Sequence, residues 1–280
     1  MISFSSSFLQ RRAALLLTLA VIALSNMSCA SGGLNLFPKS EDVSLGQKMS
    51  AQIAADPQHY PILNNPALTS YLQSIEDRIV TSPNVANKDF HYKVQIINDP
   101  NTVNAFTIPG GGIYVYTGLL KFIDDESALA GVLAHETTHA DHRHATRNMS
   151  QQYGLQAVAG LALGSNPSII TSAVAGLATN LSVLRFSRDD EREADQGSFD
   201  DLNKMPGRPW FPGGVKGFLQ KSMASQKSQP GKFDQMFLTH PVDQERIDQV
   251  NTNLQKSGLS TATPSQLNQS NYARYKAMLP

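Results

Sequence analysis

Leu129-Ala130-Gly131-Val132-Leu133-Ala134-His135-Glu136-Thr137-Thr138-His139-Ala140 is the stretch that decides how the rest of this chain is read. Its apolar residues recur at helical spacing, and residues four apart on a helix stand on one face. His135 and His139 can therefore reach one metal ion. Glu136 follows directly, close enough to take a proton from water held by that ion. Two neutral imidazoles and a carboxylate base are what metal-assisted peptide-bond hydrolysis requires. On a surface helix the same residues would simply be solvated, so the surrounding sequence has to decide.

The 280 residues are 41% hydrophobic and 16% charged, with a formal net charge of zero. That composition suits a globular chain with a sizeable core, and the charge balance offers nothing to nucleic acid. Residues 1–30 read as a signal segment: Arg11 and Arg12 precede the apolar run Ala13 to Leu24, which is short for a membrane span. The sole cysteine, Cys29, stands in Ser25-Asn26-Met27-Ser28-Cys29-Ala30. This resembles a bacterial lipoprotein signal, in which the cysteine becomes the lipidated first residue. Asn26 departs from the aliphatic residue usual there, and plain cleavage after Ala30 is the other reading. With one cysteine the chain holds no internal disulfide.

Residues 31–40 read as a tether. Apolar spacing predicts helices over Glu41 to Ala55 and Asn65 to Val80. Phe90 to Ile97 alternates as a strand does. Pro109-Gly110-Gly111-Gly112 then feeds a β-rich run, and glycine in a strand often marks the close approach of another backbone. Gly111, Ile113, Tyr114 and Val115 are thus candidates for an edge strand to which a substrate adds as a further strand. A plain hairpin with a glycine turn is the alternative. Asp124-Asp125-Glu126-Ser127 supplies the start of the His135 helix, which is expected to run to about Met149. His142 and His144 lie off ligand spacing and read as surface or supporting groups. From Asn148 to Leu184 there is no charged residue; two buried helices are expected, with a membrane-touching hairpin as the alternative.

A further helix is expected from Phe186 onward, where Glu191 and Asp195 share a face and Glu193 points away. A two-histidine zinc site needs a third protein ligand, which Glu191 can provide. Asp195, one turn on, can bind the far nitrogen of a ligand histidine and fix its tautomer.

These residues, with His240-Pro241 and Arg246-Ile247 downstream and Asn104-Ala105-Phe106 upstream, resemble the HtpX/CAAX-prenyl-protease family of zinc endopeptidases. Within it, the export signal resembles the periplasmic lipoprotein branch. The resemblance implies one Zn2+ per chain on His135, His139 and Glu191, with Glu136 as general base and Asp195 behind the ligands. It implies His240 and Arg246 near the metal as transition-state stabilisers. In that branch the equivalent of His240 can also occupy the open zinc position and hold the enzyme off. The implied fold is α+β, a mostly helical zincin-like domain over 41–254 with a small sheet. Its edge strand, around Ile113 to Tyr116, would line the cleft, and 255–280 would be a polar tail. Implied too are polypeptide substrates, among them misfolded or misassembled envelope proteins, and a lipid anchor at the outer membrane. The length predicts no helical-repeat domain for partner docking. The competing class is an envelope chaperone or assembly lipoprotein with a latent or structural zinc site; a membrane-embedded protease is a third.

Overall fold

The computed structural model describes residues 33, 35–151, 154, 184–226, 228–229 and 231–280. Cys29, the rest of the signal segment and residues 155–183 of the uncharged stretch lie outside the described residues. Two helices come first, α1 (Lys39–Ala55) and α2 (Pro66–Ile79). Asn65 caps α2 by accepting from Leu68 N, with proline in the first turn. A mixed sheet follows, with β1 (Lys93–Ile97), β2 (Ala105–Thr107) and β3 (Gly112–Tyr116) in the order β1-β3-β2. Then come α3 (Thr117–Phe122), α4 (Glu126–Asp141), α5 (Arg188–Lys204), α6 (Gly214–Ser225) and α7 (Asp234–Thr239). The chain closes with α8 (Gln244–Lys256), α9 (Pro264–Leu267) and α10 (Gln269–Lys276). The architecture is α+β and mostly helical. Among the described residues no helix is long and apolar enough to cross a membrane.

The largest hydrophobic core is packed around α4, all 16 of whose residues are buried. It is ringed by α2, β2, α5 and α6, and a helix enclosed on every side is a core helix rather than a surface one. The crossings are close because small residues sit at them. A Cβ on Gly131 would lie 2.3 Å from Val215 N, and one on Gly197 would lie 2.4 Å from Thr138 Cγ2.

The start of α4 is held by two acids. Asp125 caps it, accepting from Ala128 N at 2.8 Å. The buried Glu126 accepts from Tyr71 Oη at 2.7 Å, Trp210 Nε1 at 2.8 Å, Asn268 Nδ2 at 2.9 Å and Asn271 Nδ2 at 2.5 Å. The C-terminal residues therefore do not trail as a tail. Tyr272 is buried, and Tyr275 stacks on Tyr71 with ring centroids 3.7 Å apart.

The sheet corrects the expected substrate strand. β3 is central: it pairs in parallel with β1 and antiparallel with β2, so neither of its sides is free. Gly111, Ile113, Tyr114 and Val115 are buried inside this pairing. Glycine did mark close backbone approach, but the backbone is the chain's own. Gly110 and Gly111 have φ of 79° and 102°; a Cβ would meet Val43 Cα at the first and Tyr92 N at the second, each at 3.1 Å. The edge strand nearest the site is β2. The expected run of the helix to Met149 is also corrected. α4 ends at Asp141, Arg143 turns left-handed at φ 56°, and helix resumes over 144–151.

Glu76, on α2, is fully buried against α4, where Thr137 Oγ1 donates to its Oε1 at 2.7 Å and Oε2 has no partner among the described residues. Burial, with acidic neighbours such as Asp201, pushes its carboxyl up to about 8. The folded chain then keeps a proton that the unfolded chain releases above 4.5, so stability falls as pH rises from there through about 8. Glu76→Gln, which cannot titrate, is expected to melt close to wild type at pH 5 and about 5 °C or more above it at pH 9. Equal melting differences at the two pH values would contradict this.

Candidate metal centre

Three helices and one turn deliver the site. α4 carries His135, Glu136 and His139, and α5 brings Glu191 and Asp195. α5 is fixed at its start by a capping box between Ser187 and Asp190. The turn between α7 and α8 supplies His240, and the first turn of α8 supplies Arg246, behind the cap Asp243. All seven residues are buried.

His135 Nε2 and His139 Nε2 face each other at 3.0 Å. Glu191 reaches both, Oε2 lying 3.5 Å from His135 Nε2 and Oε1 lying 3.4 Å from His139 Nε2. His240 Nδ1 approaches Glu191 Oε1 at 3.0 Å. One donor atom from each of His135, His139, Glu191 and His240 falls within 4.8 Å of the others. Tetrahedral zinc with ligands at ~2 Å would space its donor atoms by roughly 3.3 Å, so the spacing fits. Among the described residues, Glu136 Oε2 and His240 Nε2 are buried without a hydrogen-bond partner. Such atoms are costly unless something else satisfies them.

The groups behind the ligands complete the arrangement. Asp195 Oδ1 lies 3.0 Å from His135 Nδ1, the contact expected from the helical spacing. Arg246 was expected to reach toward the reacting atoms. Instead its Nε and Nη2 grip Asp195 at 2.6 and 2.8 Å, and its Nη1 donates to Pro241 O and pairs with Glu191. Its donors are committed to holding carboxylates.

Electrostatics separates the roles. Burial opposes charge on His135, but Asp195 and Glu191 outweigh it and push the imidazole up to about 9. Burial holds His139 well below its ordinary value. For Glu191 burial is overcome by His240, Arg246 and the two histidines, which keep it firmly ionised. For Glu136 burial prevails and raises the carboxyl, making it the better proton acceptor.

Beside these groups lies a cavity of about 20 Å³, lined by Asn104 and Ala105 of the β2 edge together with Val132, Val215, Leu219 and Met236. It has room for about one water. Two further residues meet the His139 ring: Phe186, which the sequence did not single out, and His144, which read as a surface or supporting group. Phe186 stacks on the His139 ring at 3.8 Å, and His144 lies 2.7 Å from His139 Nδ1. Five residues on from His139, His144 would miss that ring on a continuous helix; only the break at Arg143 brings it back, and no glycine announces it.

Comparison with known proteins agrees with this geometry. The chain is 31% identical over 196 residues to the beta-barrel assembly-enhancing protease of Escherichia coli, covering 67% of this chain and 39% of that one. It is 31% identical over 179 residues to metalloprotease LoiP of Escherichia coli, covering 63% and 67%. It is 31% identical over 183 residues to the mitochondrial metalloendopeptidase OMA1 of Schizosaccharomyces pombe, covering 65% and 52%. The chain thus spans well under half the length of the first of these relatives. The profile of peptidase family M48 matches residues 66–254, from the start of α2 to the last turn of α8, and the chain belongs to that family.

Proposed function

We propose that this chain is a zinc-dependent endopeptidase that hydrolyses peptide bonds within polypeptides. The observation that carries this reading is a buried carboxylate, Glu136, with one oxygen unpaired among the described residues, beside a four-donor cluster that could hold a metal. A structural metal site needs no such base. Zinc, one per chain on His135, His139 and Glu191, supplies a Lewis acid that polarises the scissile carbonyl and brings the pKa of water down to ~7. Glu136 accepts the proton of the attacking water and returns it to the leaving amine. Asp195 holds His135 in the tautomer that offers Nε2, and Arg246 clamps Asp195 and Glu191. His240 occupies the fourth donor position in the conformation described. Displaced from it, its Nε2 becomes a donor for the developing oxyanion.

The setting we propose is the bacterial envelope, with Cys29 lipidated and the chain held at the inner face of the outer membrane. The signal-like first 30 residues and the name of the beta-barrel assembly-enhancing relative support it. Misfolded or misassembled envelope proteins are the proposed substrates, in line with the name of that relative. A second reading, an envelope chaperone or assembly lipoprotein with a latent or structural zinc, draws support from His240 as a fourth donor.

Three measurements separate these readings. Glu136→Gln should retain about one zinc per chain yet cut an unfolded protein such as casein roughly 10²–10⁴-fold more slowly than wild type; equal rates would remove the endopeptidase. His240→Ala should raise cleavage severalfold if His240 is a latch, whereas a fall would make it an assisting donor. Cys29→Ala should shift the protein from the membrane to the soluble fraction. Retention in the membrane would argue against a lipid anchor.

A further inference from the structure

Behind His139 lies a second group of metal-ligating side chains that the proposed reaction does not use: His144 is buried, Glu193 half-buried and His142 exposed. The left-handed turn at Arg143 (φ 56°) is tied down by the guanidinium itself, which donates to Asp42 and to Phe37 O. That turn swings His144 back under α4, where it is completely buried. His144 Nδ1 stands 2.7 Å from His139 Nδ1, and His144 Nε2 stands 3.1 Å from Glu193 Oε2. Arg147 Nη1 donates to that same oxygen at 3.0 Å, and Arg147 Nη2 donates to Asp190. Asp190 also accepts from Asn148.

Two ring nitrogens 2.7 Å apart share a single proton, and its owner follows from the other side of His139. There Nε2 faces His135 Nε2 and Glu191 Oε1, the direction a metal would occupy. An imidazole that gives its Nε2 lone pair to a metal carries its proton on Nδ1. His139 is therefore the donor, and His144 Nδ1 must be bare. The His144 proton then sits on Nε2, aimed at the Glu193 carboxylate.

We infer that His144 is a positioning residue: it accepts the Nδ1 proton of His139, fixes the tautomer that presents Nε2 to the metal, and is itself oriented by Glu193 and Arg147. The inference rests on the zinc reading above. One helix thereby serves both histidine ligands, Asp195 behind His135 and Glu193, through His144, behind His139. His142, His144 and Glu193 come close enough to hold an ion of their own. An ion on His144 Nε2, however, would put the His144 proton on Nδ1, against the proton of His139. Arg147 already occupies the Glu193 oxygen. With the main centre loaded, this second site stays empty and the chain binds one zinc.

The test compares zinc affinity, by chelator competition, in wild type, His144→Leu and His144→Gln. It adds the melting temperature of each metal-free protein and nitrogen-15 NMR of the zinc-loaded wild type. Leucine cannot accept the His139 proton and should weaken zinc binding by about 10–100-fold. Glutamine offers an amide oxygen to His139 and an amide hydrogen to Glu193, so it should recover most of that loss. The wild-type spectrum should show the His144 proton on Nε2, a result that needs no variant to fold. A proton on His144 Nδ1, equal affinity in His144→Leu and wild type, or equal losses in both variants tracking their metal-free melting temperatures would each overturn the inference. A wild type that binds no zinc would instead overturn the metal reading on which it depends.

Discussion

Burying a charged side chain costs several kcal/mol unless it meets a charged or hydrogen-bonding partner. α5 buries four carboxylates, Asp190, Glu191, Asp195 and Asp201, the last of them accepting from Ser82 Oγ. Much of the surrounding structure answers them. Arg246 on α8 takes Asp195 and Glu191; His135, His139 and His240 converge on Glu191; Arg147, beyond the Arg143 turn, takes Asp190. Remove Arg246 or Arg147 and a buried carboxylate is left uncompensated. The metal centre is thus one face of a charge-compensated layer between two helices, and its geometry is held by the same pairings that make the burial tolerable.

The reaction groups were legible because they obey a period. His135 and His139, and again Glu191 and Asp195, stand four apart on helices, so spacing alone put each pair on one face. His240 and Arg246 entered only through likeness to a family, since nothing in their neighbourhood marks them as facing Glu191. What stayed hidden depended on long-range contacts. Glycines at 110 and 111 announced a crowded backbone without saying whose, and the topology made it that of α1 and the lead into β1 rather than a substrate. A non-glycine residue took the left-handed turn at Arg143, so the helix looked continuous there. Around Tyr272 and Tyr275 a polar composition disguised aromatic residues that pack against the core.

The hydrogen bonds to Glu126 have a consequence for the order in which the molecule is made. Asn268 and Asn271 reach this carboxylate across 142 and 145 residues of chain. Closing loops of that length is entropically costly, and contacts so far apart in sequence form slowly. Yet these bonds help to satisfy the buried charge at the first turn of the helix that bears the histidines. During synthesis that helix lies far behind the ribosome before its last partners exist. A chain emerging from its amino end cannot complete the bonds to Glu126 until Asn268 and Asn271 have been added. The first turn of the histidine-bearing helix is thus tied to a segment made more than 140 residues after it.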